Sequence, residues 1–141
     1  MVEATGALAG VRVAIVEDDA LLRKSLAIFL QVKGCRVEAF GSAEEAGEAG
    51  RLGGFGVVIS ALLLPGEDGL SFLRRVHVAS NTVKTVLVSA QRNEGFPEET
   101  KRAGIDGYIP KPFTTEELEG TLLRLIGKGR GGDRTTCAMI T

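Results

Sequence analysis

The stretch VRVAIVEDD, Val11 to Asp19, runs from a β-branched, almost wholly apolar segment straight into three consecutive acids. A strand covered by helices on both faces reads this way, because neither of its faces meets water. The period then changes from two to about 3.6. Leu22, Leu26, Phe29 and Leu30 recur on one side while Arg23, Lys24 and Lys33 face elsewhere. Asp19 is placed to cap this helix and Gly34 to end it. A buried strand, an acidic turn and an amphipathic helix make up the opening half of a βαβ unit.

The same alternation continues along the chain. CRVEAF supplies a second strand, and Ser42 with Glu45 forms a capping box for a second helix that Gly47 and Gly50 weaken. VVISALLLPGEDG, Val57 to Gly69, is a third strand that stops at a Pro-Gly turn, followed by a short helix from about Gly69 to His77. KTVLVSA is strand four, Pro97 suits the first turn of a fourth helix, and GYIP is a brief fifth strand. Thr114 and Glu117 form a second capping box, ahead of a final helix with Leu118, Leu122, Leu125 and Ile126 on its buried stripe.

Five strands alternating with five helices predict an α/β fold, a doubly wound parallel sheet between two helical layers joined by right-handed crossovers. Residues 1–10 read as an N-terminal extension, 11–127 as the domain, and the glycine-rich 128–141 as a flexible tail.

Bulk properties narrow the function. The 141 residues suit one domain, and 17 basic against 18 acidic residues give a net charge of −1 and no global field for nucleic acid or anionic membrane. Lys128, Arg130 and Arg134 in the tail give only a weak, salt-sensitive contact with phosphates. Cys35 and Cys137 fit neither a disulfide framework nor a zinc site, and CAMIT has its cysteine one place too early for prenylation. With no basic, apolar leader and no membrane-length apolar run, a cytoplasmic protein is expected. No G-x-G-x-x-G follows strand one and no Walker motif occurs, which argues against dinucleotide binding and P-loop hydrolysis.

In a doubly wound sheet the site lies at the carboxyl ends of the strands. There the sequence offers Glu17, Asp18 and Asp19 after strand one, Ala61 on strand three, Ser89 after strand four and Lys111 after strand five. Acids, a hydroxyl and an ammonium on one rim suit a divalent cation and a phosphoryl group, but no nucleophile is among them.

With IVEDD, LLLPGEDG, VLVSA and GYIPKPF in this order and spacing, the chain resembles the receiver domains of two-component response regulators from Val11 to about Ile126. The resemblance implies a flavodoxin-like sheet of strand order 2-1-3-4-5 in an α/β/α sandwich. It implies Mg²⁺ ligands at Glu17 and Asp18, with Asp19 mainly a cap. Ser89 and Lys111 match the phosphoryl contacts, and Ser89 and Tyr108 the switch pair. The family's phosphoacceptor aspartate stands four positions before the turn proline, where this chain has Ala61. A methyl group cannot attack phosphorus or ligate a metal, so the family's autophosphorylation is expected to be lost. Mg²⁺ binding should weaken, and Lys111 should turn toward Asp18 or Glu17.

Blander readings hold for several neighbours. Ser60 alternates away from Ala61 and is expected to bond backbone rather than replace the acceptor. Asp68 reads as a turn residue and His77 as surface, while Glu17 and Asp18 taken alone would be solvated acids. The resulting expectation is a non-enzymatic receiver, natural pseudo-receiver or engineered form, that docks to a histidine kinase, another phosphorelay protein or a second copy through helix 4, strand 5 and helix 5. The competing reading is a Mg²⁺-dependent phosphate-handling enzyme on the same fold.

Overall fold

The structure is a computed structural model that describes residues 6–50, 52–80, 82–90 and 98–129. Its elements are β1 (Arg12–Val16), α1 (Ala20–Val32), β2 (Arg36–Phe40), α2 (Ala43–Ala49), β3 (Val57–Ala61), α3 (Gly69–Ala79), β4 (Lys84–Ser89), α4 (Glu98–Arg102), β5 (Gly107–Pro110) and α5 (Thr115–Gly129). A single 3-10 turn, Leu52–Gly54, precedes β3. All strand pairs are parallel and the order is β2-β1-β3-β4-β5. This is the flavodoxin-like α/β/α arrangement expected from the alternation of elements.

Strand alternation builds the two halves of the core. Val13, Ile15, Val57, Ile59, Val86, Val88 and Ile109 face Leu26 and Leu30 of α1 and Leu118 and Leu122 of α5. Ala14, Val16, Val58 and Leu87 face Phe72, Leu73 and Val76 of α3 and Ala43 and Ala46 of α2. Each fully buried large side chain contributes about 1.5–3 kcal/mol, which makes these two apolar layers the main source of stability.

Local signals close the elements. Asp19 accepts from the Leu21 and Leu22 amides at 3.0 and 3.1 Å, and Gly34, at φ +96°, takes the left-handed turn after α1 that a side chain would resist. Thr114 and Glu117 cap each other's backbone at 3.0 and 2.8 Å. At α2 the box is altered: Ser42 caps the Glu45 amide, but the Glu45 carboxylate returns to the amide of Gly41 rather than of Ser42. Asp68 is the N-cap of α3, accepting from the Ser71 amide at 2.8 Å. Helix α3 runs two residues past His77, to Ala79.

Two stretches differ from the sequence-based boundaries. Leu8, within the expected extension, is 2 % exposed and joins the α1/α5 core, and Gly10 donates to the Gly34 carbonyl at 2.8 Å. An isolated leucine outside any periodic segment carries no signal of burial. Helix α5 passes through Gly127 to Gly129, since a glycine in a helix costs only about 1 kcal/mol and Leu125 and Ile126 anchor that turn. Pro97 and the tail beyond Gly129 lie outside the described residues.

Candidate functional site

The carboxyl ends of the strands meet on one rim, and the register sets the neighbours. Val16 pairs with Ser60, so Glu17 comes alongside Ala61; Ala61 pairs with Val88, so Ser89 follows on its other flank. Ser89 pairs with Pro110, which brings Lys111 to the same rim, and the Lys111 amide donates to the Ser89 carbonyl at 2.7 Å. Glu17, Ala61, Ser89 and Lys111 are thus assembled from segments far apart in sequence by strand pairing alone.

Side-chain geometry ties two of them directly. Glu17 is 4 % exposed, and its Oε1 lies 3.2 Å from Lys111 Nζ. Its Oε2 accepts from the Asp19 amide at 3.0 Å. The Arg23 guanidinium donates to the Glu17 carbonyl oxygen at 2.7 Å, a role that its place off the apolar stripe did not announce. Asp18 is exposed, whereas Ser89 is 3 % exposed and carries the strand parity of Leu87, opposite to that of Ile59 and Ala61. Lys111 precedes Pro112 through a cis peptide bond.

Ala61 itself is 4 % exposed. Ser60, wholly buried, donates its hydroxyl to the Ala61 carbonyl at 2.9 Å, so it is engaged with backbone. Behind the rim, Gly69 N donates to Leu62 O at 2.8 Å and α3 presses onto the Ala61 backbone. The connecting loop is braced from two helices: Glu44 of α2 accepts from the Glu67 amide at 3.1 Å, and Arg75 of α3 grips the Glu67 carboxylate, with Nε at 2.9 Å. That hydrogen bond holds the Arg75 guanidinium pKa above its ordinary value. Tyr108, half-buried, packs on the α2/α3 side of the core and lines a hollow of about 360 Å³ with Pro110, Glu116, Gly120 and Arg124.

A family model described as the response regulator receiver domain matches residues 13–123 of this chain. The chain belongs to that family. It is 34 % identical over 120 residues to the virulence transcriptional regulatory protein PhoP of Salmonella typhimurium, a match covering 85 % of this chain and 54 % of that protein. The transcriptional regulatory protein BasR of Escherichia coli is 31 % identical over 115 residues, covering 82 % of this chain and 52 % of the relative. The chain therefore spans about half the length of these curated relatives. Among solved structures, the chemotaxis response regulator CheY4 of Vibrio cholerae superposes with a TM-score of 0.75 at 27 % identity, covering 83 % of this chain and 99 % of that one.

Receiver domains are regulatory modules rather than enzymes, and the reading of this chain as a Mg²⁺-dependent phosphate-handling enzyme finds no support in its relatives. They interact with histidine kinases and phosphorelay partners. Among the described residues no helix is long and apolar enough to cross a membrane.

Receiver domains also typically use Mg²⁺, and the residues present here do not fit it. Mg²⁺ needs oxygen ligands at about 2.0–2.1 Å in near-octahedral array. Of the Glu17 oxygens, one faces an ammonium and the other a backbone amide. Asp18 is exposed, residue 61 offers a methyl, and among the described residues no three acid, histidine or cysteine side chains gather around one point.

Proposed function

We propose that this chain is a receiver module that does not form the usual aspartyl phosphate and that acts by docking to a protein partner. The observation that carries the reading is Ala61 at the carboxyl end of β3, flanked in register by Glu17 and Ser89. A carboxylate at that point would be the nucleophile of an acyl phosphate; a methyl has no lone pair to offer. In this reading Ser89 and Lys111 are the inherited phosphoryl contacts, Glu17 and Asp18 the inherited metal arm, weakened toward Mg²⁺ by the missing charge, and Ser89 with Tyr108 the switch pair.

The partner is a histidine kinase or another phosphorelay protein of the cytoplasm. The docking face includes α4, β5 and α5, and the hollow beside Tyr108, with its acidic and basic rim of Glu116, Glu117 and Arg124, supports that choice. Without covalent phosphate, only a ligand that binds one conformation better than the other can shift the equilibrium, so the partner must supply the bias.

The test is phosphorylation by acetyl phosphate with Mg²⁺, read by intact-protein mass spectrometry on the natural chain and on Ala61→Asp. The natural chain should stay unmodified and the variant should gain an alkali-labile phosphate that hydroxylamine removes. A stable phosphoprotein from the natural chain, modified near residue 61, would refute the reading.

A further inference from the structure

The rim whose described residues do not fit a metal still carries positive charge. Lys111 Nζ lies 3.2 Å from Glu17 Oε1, and only 5 % of the Glu17 side chain is exposed against 28 % of Lys111. The ammonium thus reaches in from the solvent side and closes over a carboxylate that has little other access to ions. The remaining Glu17 oxygen is held by the Asp19 amide and its carbonyl by Arg23. Two cationic side chains, one from α1 and one from the end of β5, converge on this one residue.

A divalent ion at about 2.1 Å from Oε1 would lie no more than about 5.3 Å from the Lys111 nitrogen, given the 3.2 Å contact. Both cations would compete for one oxygen, with no further carboxylate from residue 61 to share between them. We propose that Lys111 is the resident cation of this pocket: ammonium and divalent metal exclude each other at Glu17, and with Ala61 in place the ammonium holds the site. The rim then keeps one charge state whatever the Mg²⁺ concentration. This deepens the functional reading above and rests on it, since it takes Ala61 as the position where relatives carry an acid.

Deleting Lys111 adds no ligand, yet it should create metal affinity. The probe is Mn²⁺ alone, titrated against the full chain, with the free aqueous ion followed by electron paramagnetic resonance. The natural chain and Lys111→Arg, which preserves the cation, should show no saturable binding up to about 10 mM, and Mg²⁺ at that level should leave the thermal midpoint unmoved. Lys111→Met should bind at least about tenfold more tightly than the natural chain, equivalent to about 1.4 kcal/mol, and adding Glu17→Gln should abolish the gain.

Circular dichroism on each variant checks folding, and Lys111→Gln is a second neutral replacement that carries the comparison should Lys111→Met fail to fold. Submillimolar Mn²⁺ binding by the natural chain, binding by Lys111→Arg, or a folded but silent Lys111→Met would each overturn the proposal. Those results leave the phosphorylation test untouched. Conversely, a labelled natural chain would remove the functional reading whatever Mn²⁺ does.

Discussion

Replacing Gly69 by alanine tests how closely α3 is pressed onto the candidate site. A Cβ built there lies 1.8 Å from the Ala61 carbonyl oxygen and 2.8 Å from both the Ala61 carbonyl carbon and the Ser60 hydroxyl. Two of these atoms are backbone of β3, which is paired on both edges by β1 and β4 and cannot retreat without breaking a ladder. The helix must move instead, and its first amide bond to Leu62 O goes with it. Overpacking costs about 1–3 kcal/mol where flexible side chains yield, so a clash with a central strand should cost about 3 kcal/mol or more. The entropic benefit of alanine over glycine returns less than about 1 kcal/mol. Urea unfolding reads the result: with a slope of roughly 2 kcal/mol per molar, the midpoint should fall by roughly 1.5 M. Gly47→Ala is the control, since nothing lies within 4 Å of its added Cβ in α2, and it should stabilise by about 0.5–1 kcal/mol. A Gly69→Ala midpoint within about 0.2 M of the natural chain would refute the packing argument.

Other expectations are smaller or of another kind. Asp68→Ala removes the cap that binds the Ser71 amide and should cost about 1 kcal/mol by urea unfolding. A double-mutant cycle on Glu67 and Arg75 should give a coupling of about 0.2–1 kcal/mol that fades in high salt, because Arg75 is largely exposed. Burial raises the Cys35 thiol pKa above its ordinary 9.0, so in a Cys137→Ser background alkylation by iodoacetamide should stay slow at neutral pH and accelerate only beyond that value. The unfolded thiol ionises first, so the Cys35 contribution to stability is intact below pH 9.0 and is lost as pH climbs through the raised folded value.

Much of the architecture was legible because parallel strands and amphipathic helices declare themselves by period. VRVAIV, VVIS and KTVLVS are apolar without alternation, and Leu22, Leu26 and Leu30 repeat at helical spacing; both patterns follow from burial. The rim followed from topology, since strand ends in a doubly wound sheet must converge. What stayed hidden is set by pairwise distance. Glu17 and Lys111 are 94 residues apart, and the sequence left Asp18 and Glu17 as equal candidates for the ammonium; only the geometry separates the buried acid from the exposed one. Leu8 carries no periodic neighbour to mark it as core. Gly69 reads as an ordinary helix start, because the close approach that demands it comes from Ala61, which lies across a turn.

The brace at Glu67 gives the site a mechanical character. One residue is held through its amide by α2 and through its carboxylate by α3, so the segment beyond Ala61 works like a strut between two helices. The positions of the two helices are thereby tied to each other through a single loop residue, and cutting either bond would leave the segment beyond Ala61 anchored on one side only.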